Sequence, residues 1–159
     1  MKHRLLFLWT ICICLLVGCD FSIVQPQEVP YEFLQGADQI DSIEIVYRDH
    51  YDKSVEEEDF LVLKVLDASE YQTLIQAVTD LQGGYRVPPP SALGYYIVKI
   101  TYQDGTKELV GSYGCGHITP DGKLESVTHF NYSFFDNEAF LNMISSFLGE
   151  DVTEPPYVE

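Results

Sequence analysis

The chain has 159 residues and carries 25 Asp plus Glu against nine Lys plus Arg, a formal net charge of −16. Nucleic-acid binding needs clustered Lys and Arg that displace condensed counterions, so this balance excludes nucleic acid as a partner. It also opposes adsorption of the folded surface to anionic lipid headgroups, which leaves any membrane attachment to something other than surface charge.

The chain opens on the basic segment Met1-Lys2-His3-Arg4, and Leu5 to Val17 then run thirteen residues without a charge. A helix needs about 20 apolar residues to cross a bilayer core, so this run is short for a permanent span. A basic start, a run of this length and a small residue at its end, here Gly18, describe a secretory signal. Cys19 follows, and Leu16-Val17-Gly18-Cys19 resembles the lipobox of bacterial lipoproteins. The resemblance covers the first 19 residues. It implies a diacylglyceryl group on the Cys19 thiol, cleavage before that residue, and a cell-membrane location on the extracytoplasmic face. Two acyl chains suffice for a stable anchor where one does not. Asp20 resembles the inner-membrane retention signal of some Gram-negative lipoproteins, which matters only in a two-membrane cell; the sequence leaves the type of envelope open. The alternative is a plain signal or an uncleaved anchor with an incidental cysteine, but no small-x-small pair ends the run.

Cleavage removes Lys2 and Arg4 and no acid, leaving seven Lys plus Arg against 25 acids, a net of −18. Cys12 and Cys14 leave with the signal and Cys19 is consumed by lipid. Cys115 then has no partner for a disulfide within the domain. The fold must stand on its core, which about 110 residues can supply.

Residues 19–40, with Pro26 and Pro30, read as a lipid-anchored tether. If flexible, about 20 residues reach on average roughly 25 Å. Tyr31, Phe33 and Leu34 are placed to dock, which would order its second half. A single α+β domain is expected over 41–149. Ile43, Ile45 and Tyr47 alternate with Ser42, Glu44 and Arg48, so 42–49 reads as a strand. Phe60 to Leu66 (FLVLKVL) reads as a second, more heavily buried strand. Ser69 with Gln72 predicts a capping box. Tyr71, Leu74, Ile75, Val78 and Leu81 share one helical face, with Gly83-Gly84 as the stop.

Tyr95 to Gln103, Asp104-Gly105 and a strand from Thr106 predict a hairpin with a two-residue turn. That register pairs Tyr102 with Lys107, Ile100 with Leu109 and Val98 with Gly111. It puts Tyr96, Val98, Ile100, Tyr102, Leu109 and Tyr113 on one face and Lys99, Thr101, Glu108, Ser112, Ile97 and Val110 on the other. Thr119-Pro120-Asp121-Gly122 predicts a turn into a strand over 127–134. Asp136 caps the last helix, whose stripe is Phe140, Met143, Ile144, Phe147 and Leu148, and Gly149 ends it. The order β-β-α-β-β-β-α predicts a five-stranded, mainly antiparallel sheet with two helices on one face. Residues 150–159 read as an acidic, flexible tail. The domain resembles small uncharacterised exported domains of Gram-positive gut bacteria, with no characterised family attached.

Four places carry candidate chemistry. Tyr85, Arg86, Pro88, Pro89 and Pro90 combine a ring, a cation and a stiff backbone, and form a candidate interaction loop, together with the outward strand face near Ile97 and Val110. Cys115 and His117, two apart on a strand, share a face; with His129 they could hold zinc or copper, but the register sends His129 to the opposite side. The same thiol and imidazole could serve thiol chemistry, for which no orienting third group is visible. Glu56-Glu57-Glu58-Asp59, near Asp49 and Asp52, lacks the spacing of a calcium loop and reads as a solvated tip. The sequence offers no glycine-rich phosphate loop, no nucleophile elbow and no Cys-x-x-Cys pair, so neither an enzyme nor a cofactor is expected. The leading expectation is a lipid-anchored binding or interaction module whose partner is an envelope protein, a peptide or a wall component. The alternatives are a metal-handling or thiol-dependent protein and a surface inhibitor or immunity-like lipoprotein.

Overall fold

The computed structural model describes residues 28–49, 60–85, 93–125 and 132–155. The expected signal at 1–18, Cys19, Asp20, the acidic run 56–59, Arg86 to Pro90 and His129 lie outside these residues.

The fold is α+β. Strands β1 (Ile40–Tyr47), β2 (Leu61–Val65), β4 (Tyr96–Tyr102), β5 (Lys107–Gly111) and β6 (Cys115–Ile118) form one antiparallel sheet, extended at one edge by the two-residue β7 (Leu124–Glu125). Its order is β2-β1-β4-β5-β6-β7. Strands β3 (Gly83–Tyr85) and β8 (Tyr132–Phe134) pair separately. Helices α1 (Tyr71–Thr79) and α2 (Asn137–Leu148) cover one face of the main sheet.

The main core lies between that face and the helices. It joins Ile43 and Ile45 of β1, Val98, Ile100 and Tyr102 of β4, Val110 and Cys115, with Leu74 and Val78 of α1 and Phe140, Met143 and Ile144 of α2. The helical members recur at three- and four-residue spacing, so each helix presents one stripe. A smaller cluster on the reverse face contains Val46, Leu93, Ile97, Leu109 and Ile118, edged by Phe60.

A side chain caps the start of α2, and a capping box closes the 3-10 turn ahead of α1. The Asp136 carboxylate accepts from the Ala139 N–H at 3.0 Å, as expected, and Gly149 ends α2. For α1 the capping box is made by Asp67 and Glu70, ahead of a single 3-10 turn at Ala68–Glu70, rather than by Ser69 and Gln72. Gly83-Gly84 does not stop α1, which ends at Thr79. These glycines begin β3, opposite Phe134 and Ser133.

Three strand-level expectations are corrected. The stretch from Thr106 to Ile118 is two strands: the Gly111 N–H donates to the Gly114 carbonyl at 2.9 Å, and the chain turns back so that Val110 faces Cys115 and Glu108 faces His117. The end of the strand expected over 127–134 pairs with β3, outside the main sheet. The β4–β5 hairpin is shifted by one residue. Ile100 pairs with Glu108, Val98 with Val110 and Ile97 with Gly111. Its loop is Gln103-Asp104-Gly105, with the Tyr102 N–H bonded to the Thr106 carbonyl and Gly105 at φ +85°. A three-residue loop closed by a left-handed glycine displaces the pairing by one position against a two-residue turn. Strand periodicity is two, so this slip turns every side chain of β5 over.

The first and last described segments both dock. Tyr31 is buried in the main core with Phe33 and Leu34 beside it, and the Val29 N–H donates to the Gly83 carbonyl at 3.0 Å. The tail expected to be flexible from 150 is held through residue 154. The Ser145 hydroxyl accepts from the Val152 N–H at 3.0 Å, and the Ser112 hydroxyl donates to Glu154 at 2.6 Å.

Candidate functional site

The flipped β5 carries Glu108 into the core, where it is completely buried. Tyr31 donates its hydroxyl to one carboxylate oxygen at 2.6 Å; the Tyr102 hydroxyl and the Leu34 N–H, at 3.1 Å, donate to the other. A buried carboxylate is costly unless donors replace its water, and three do so here. Burial still outweighs them and holds its carboxyl above the usual glutamate range. Burial, with the charge of Glu108 nearby, pushes the Tyr31 and Tyr102 hydroxyls up as well. Two of the three donors belong to the segment that leads in from the N-terminus. The cluster is therefore a clasp that fastens residues 31–34 to β5 of the main sheet.

Cys115 and His117 share a face of β6 directed at the core, as their two-residue spacing predicts. The thiol lies against the same clasp. Burial and then the charge of Glu108 raise its pKa far above the ordinary value. A reactive thiolate needs the opposite surroundings. Among the described residues no group of three or more His, Cys, Asp or Glu side chains is arranged to hold a metal.

Tyr85 stands half-exposed at the end of β3, its ring edge-on to Tyr132 at 5.8 Å. Leu93 is buried under the reverse face, and its carbonyl accepts from the Tyr113 N–H at 3.2 Å. A Cβ at Gly111 would fall on that carbonyl, so this close approach requires glycine. Ile97 and Val110 do not form an outward surface: both are completely buried, Ile97 in the reverse cluster and Val110 in the main core.

The exposed apolar surface is on β2. Leu61 is 62% exposed, Val62 44%, Leu63 39% and Val65 59%. The strand expected to be the more buried one is the sheet edge, bonded to β1 alone among the described strands. Its apolar composition is that of a central strand, and its place is not. Lys64 turns toward the helices, where its ammonium bonds Glu70 and the Phe147 carbonyl, each at 2.9 Å. The Lys64 contact holds the Glu70 carboxyl below its ordinary pKa. A bulge opposite Ile45 and Val46 interrupts the β1–β2 ladder.

A cleft of about 390 Å³ opens between Tyr113, Ser133, Phe135 and the start of α2. The Asp136 carboxylate already occupies that helix start, so it offers no seat to an anion.

The fold and these surfaces define an antiparallel α+β domain with a clasped N-terminal segment and an apolar sheet edge. Comparison with known proteins gives no relative: no family model, curated protein or solved structure matches the chain.

Proposed function

We propose that this protein is a lipid-anchored extracytoplasmic binding module, held to the cell membrane by a diacylglyceryl group on Cys19, with an envelope protein, a peptide or a wall component as its partner. The observation that carries the anchoring is Leu16-Val17-Gly18-Cys19 at the end of an uncharged run too short to span. The observation that supports binding is the row of four exposed apolar side chains on β2, because an apolar surface kept in water is costly and marks contact sites. A lipid at the membrane raises the local concentration of such a surface toward other membrane-bound partners. Inhibition of a surface enzyme is one form this binding can take. The thiol-dependent reading draws no support from the depth of Cys115 or its raised pKa.

Expression of the full chain in a bacterium with lipoprotein processing tests the anchoring. Mass spectrometry should find an N-terminal Cys19 carrying the lipid, and Cys19→Ala should move the protein out of the membrane fraction. A bare thiol at position 19 with residues 1–18 retained would overturn it. In-cell crosslinking from the anchored protein tests the binding half: a discrete crosslinked partner is expected, and a monomer throughout would count against it.

A further inference from the structure

We infer that the cleft between Tyr113, Ser133, Phe135 and the start of α2 is a binding site for a neutral sugar ring. The site is separate from the β2 surface and stands independently of the contact role proposed for that edge.

Three polar side chains without partners surround this one opening. Only Phe135 and Asp136 separate β8 from α2, so Ser133 of the strand and Asn137 of the helix line the same cleft. Strand residues alternate; Tyr132 and Phe134 lie in the main core, so Ser133 turns the other way, into the cleft wall. Ser133 is 3% exposed and its hydroxyl has no hydrogen-bond partner. A buried hydroxyl left unbonded is costly, so each one in a native fold calls for an explanation, and a ligand in the adjoining cleft supplies it. Rotation about χ1 is enough to bring the hydroxyl to such a ligand. Asp136 spends one carboxylate oxygen on the Ala139 N–H. Among the described residues, neither its other oxygen nor the Asn137 side-chain amide has a hydrogen-bond partner.

The donors and acceptors select the ligand. A carboxylate oxygen only accepts, whereas a hydroxyl and a side-chain amide both donate and accept. A ligand that satisfies all three must carry donors and acceptors close together, as neighbouring hydroxyls on a sugar ring do. A simple anion brings acceptors alone and would face Asp136 and Glu138 in a chain of net −16. An ammonium brings donors alone and would face the positive end of the α2 dipole, where the Asp136 charge is already engaged by the Ala139 N–H. The rings of Tyr113 and Phe135, the latter 36% exposed, supply an apolar wall for the C–H side of the sugar. The volume of about 390 Å³ lies near the lower end of small-ligand sites, roughly 300–1,000 Å³, and suits one or two sugar rings.

The test uses the lipidated full chain in phospholipid nanodiscs, because sugar-headed detergents would compete for the site. Glucose and N-acetylglucosamine are the neutral probes; glucuronate and glucosamine present a similar ring with a negative or, at about pH 6, a positive charge. Saturation-transfer NMR should show saturable binding of at least one neutral sugar, at least tenfold tighter than either charged form. Cellotetraose and chitotetraose separate the sources: affinity equal to the single ring marks a free sugar, and a gain marks a segment of a glycan chain. Ser133→Ala breaks no protein hydrogen bond, so it should leave the urea midpoint unchanged or raised while weakening sugar binding at least tenfold. Asn137→Ala is the second variant and should weaken binding likewise. No saturable binding of either neutral sugar up to about 20 mM overturns the inference. So does a charged form that binds as tightly, or sugar binding indifferent to both variants. Each of these failures leaves the β2 contact role standing, because crosslinking alone reads that role.

Discussion

Changing Tyr31 to phenylalanine isolates one hydrogen bond of the clasp. The ring stays, with its edge contacts to Phe33 at 5.0 Å and Tyr132 at 5.1 Å, and only the hydroxyl that donates to Glu108 at 2.6 Å is lost. A hydrogen bond to a charged group contributes about 1.5–3 kcal/mol, and here its loss leaves a buried carboxylate with one donor fewer. We expect a destabilisation of about 2 kcal/mol, roughly 30-fold in the folding equilibrium. With a urea slope of about 2 kcal/mol/M, the midpoint falls by about 1 M. Tyr31→Ala also removes a buried ring and should cost about 3–5 kcal/mol. The lone tryptophan, Trp9, lies in the stretch that the proposed cleavage before Cys19 would remove, so far-UV circular dichroism is the suitable probe. A Phe variant within about 0.5 kcal/mol of the parent, beside a strongly destabilised Ala variant, would refute the role given to the hydroxyl; such a change is typical of a surface site.

Burial holds the Glu108 carboxyl above its ordinary value, so from about pH 4.3 upward the folded protein keeps a proton the unfolded chain has released. Stability from this group therefore falls as pH rises through that window. The stability of the parent relative to Glu108→Gln should decline from pH 4 to pH 8 in parallel urea melts, and a constant or rising difference would contradict the assignment. Gly111→Ala drives a methyl onto the Leu93 carbonyl and should lower stability by about 1–3 kcal/mol in the same assay, whereas an unchanged midpoint would mean that the segment at 93 yields freely. A thiol reagent at pH 8 should find no reactive group in the lipidated folded protein and one, Cys115, after denaturation; two after denaturation would mean that Cys19 carries no lipid.

The α+β class, both helices and the side of β6 that carries Cys115 and His117 were legible because each depends on a local period. The three- and four-residue stripe of α2 and the i, i+2 parity of β6 hold whatever register the sheet adopts. Glu108 was not legible. In Lys107-Glu108-Leu109-Val110-Gly111 two apolar residues stand side by side, so hydrophobic pattern selects neither face. Only the loop settles it, and Asp104-Gly105 suits a two-residue turn as readily as the three-residue loop that forms. The run at 60–66 misled for a related reason: apolar content reports what a strand can bury, not whether a neighbour exists to bury it. Ser112-Tyr113-Gly114 offered the one cue that the long strand folds back, a glycine beside a polar residue, and that cue is shared with simple bulges.

With the proposed lipid at Cys19, the clasp would also decide how tension from the membrane enters the domain. A lipid at Cys19 would pull on the chain through Glu28; it would first meet Val29, bonded to Gly83 and Tyr132, and then Tyr31, locked to Glu108 deep in the sheet. Drag on the body would then be borne by the middle of the molecule, and the hydrogen bonds that zip β1 to its neighbours would be shielded from being peeled one at a time. The nine residue steps from Cys19 to Glu28 would span at most about 30 Å if fully extended. That is a short mooring for so negative a hull.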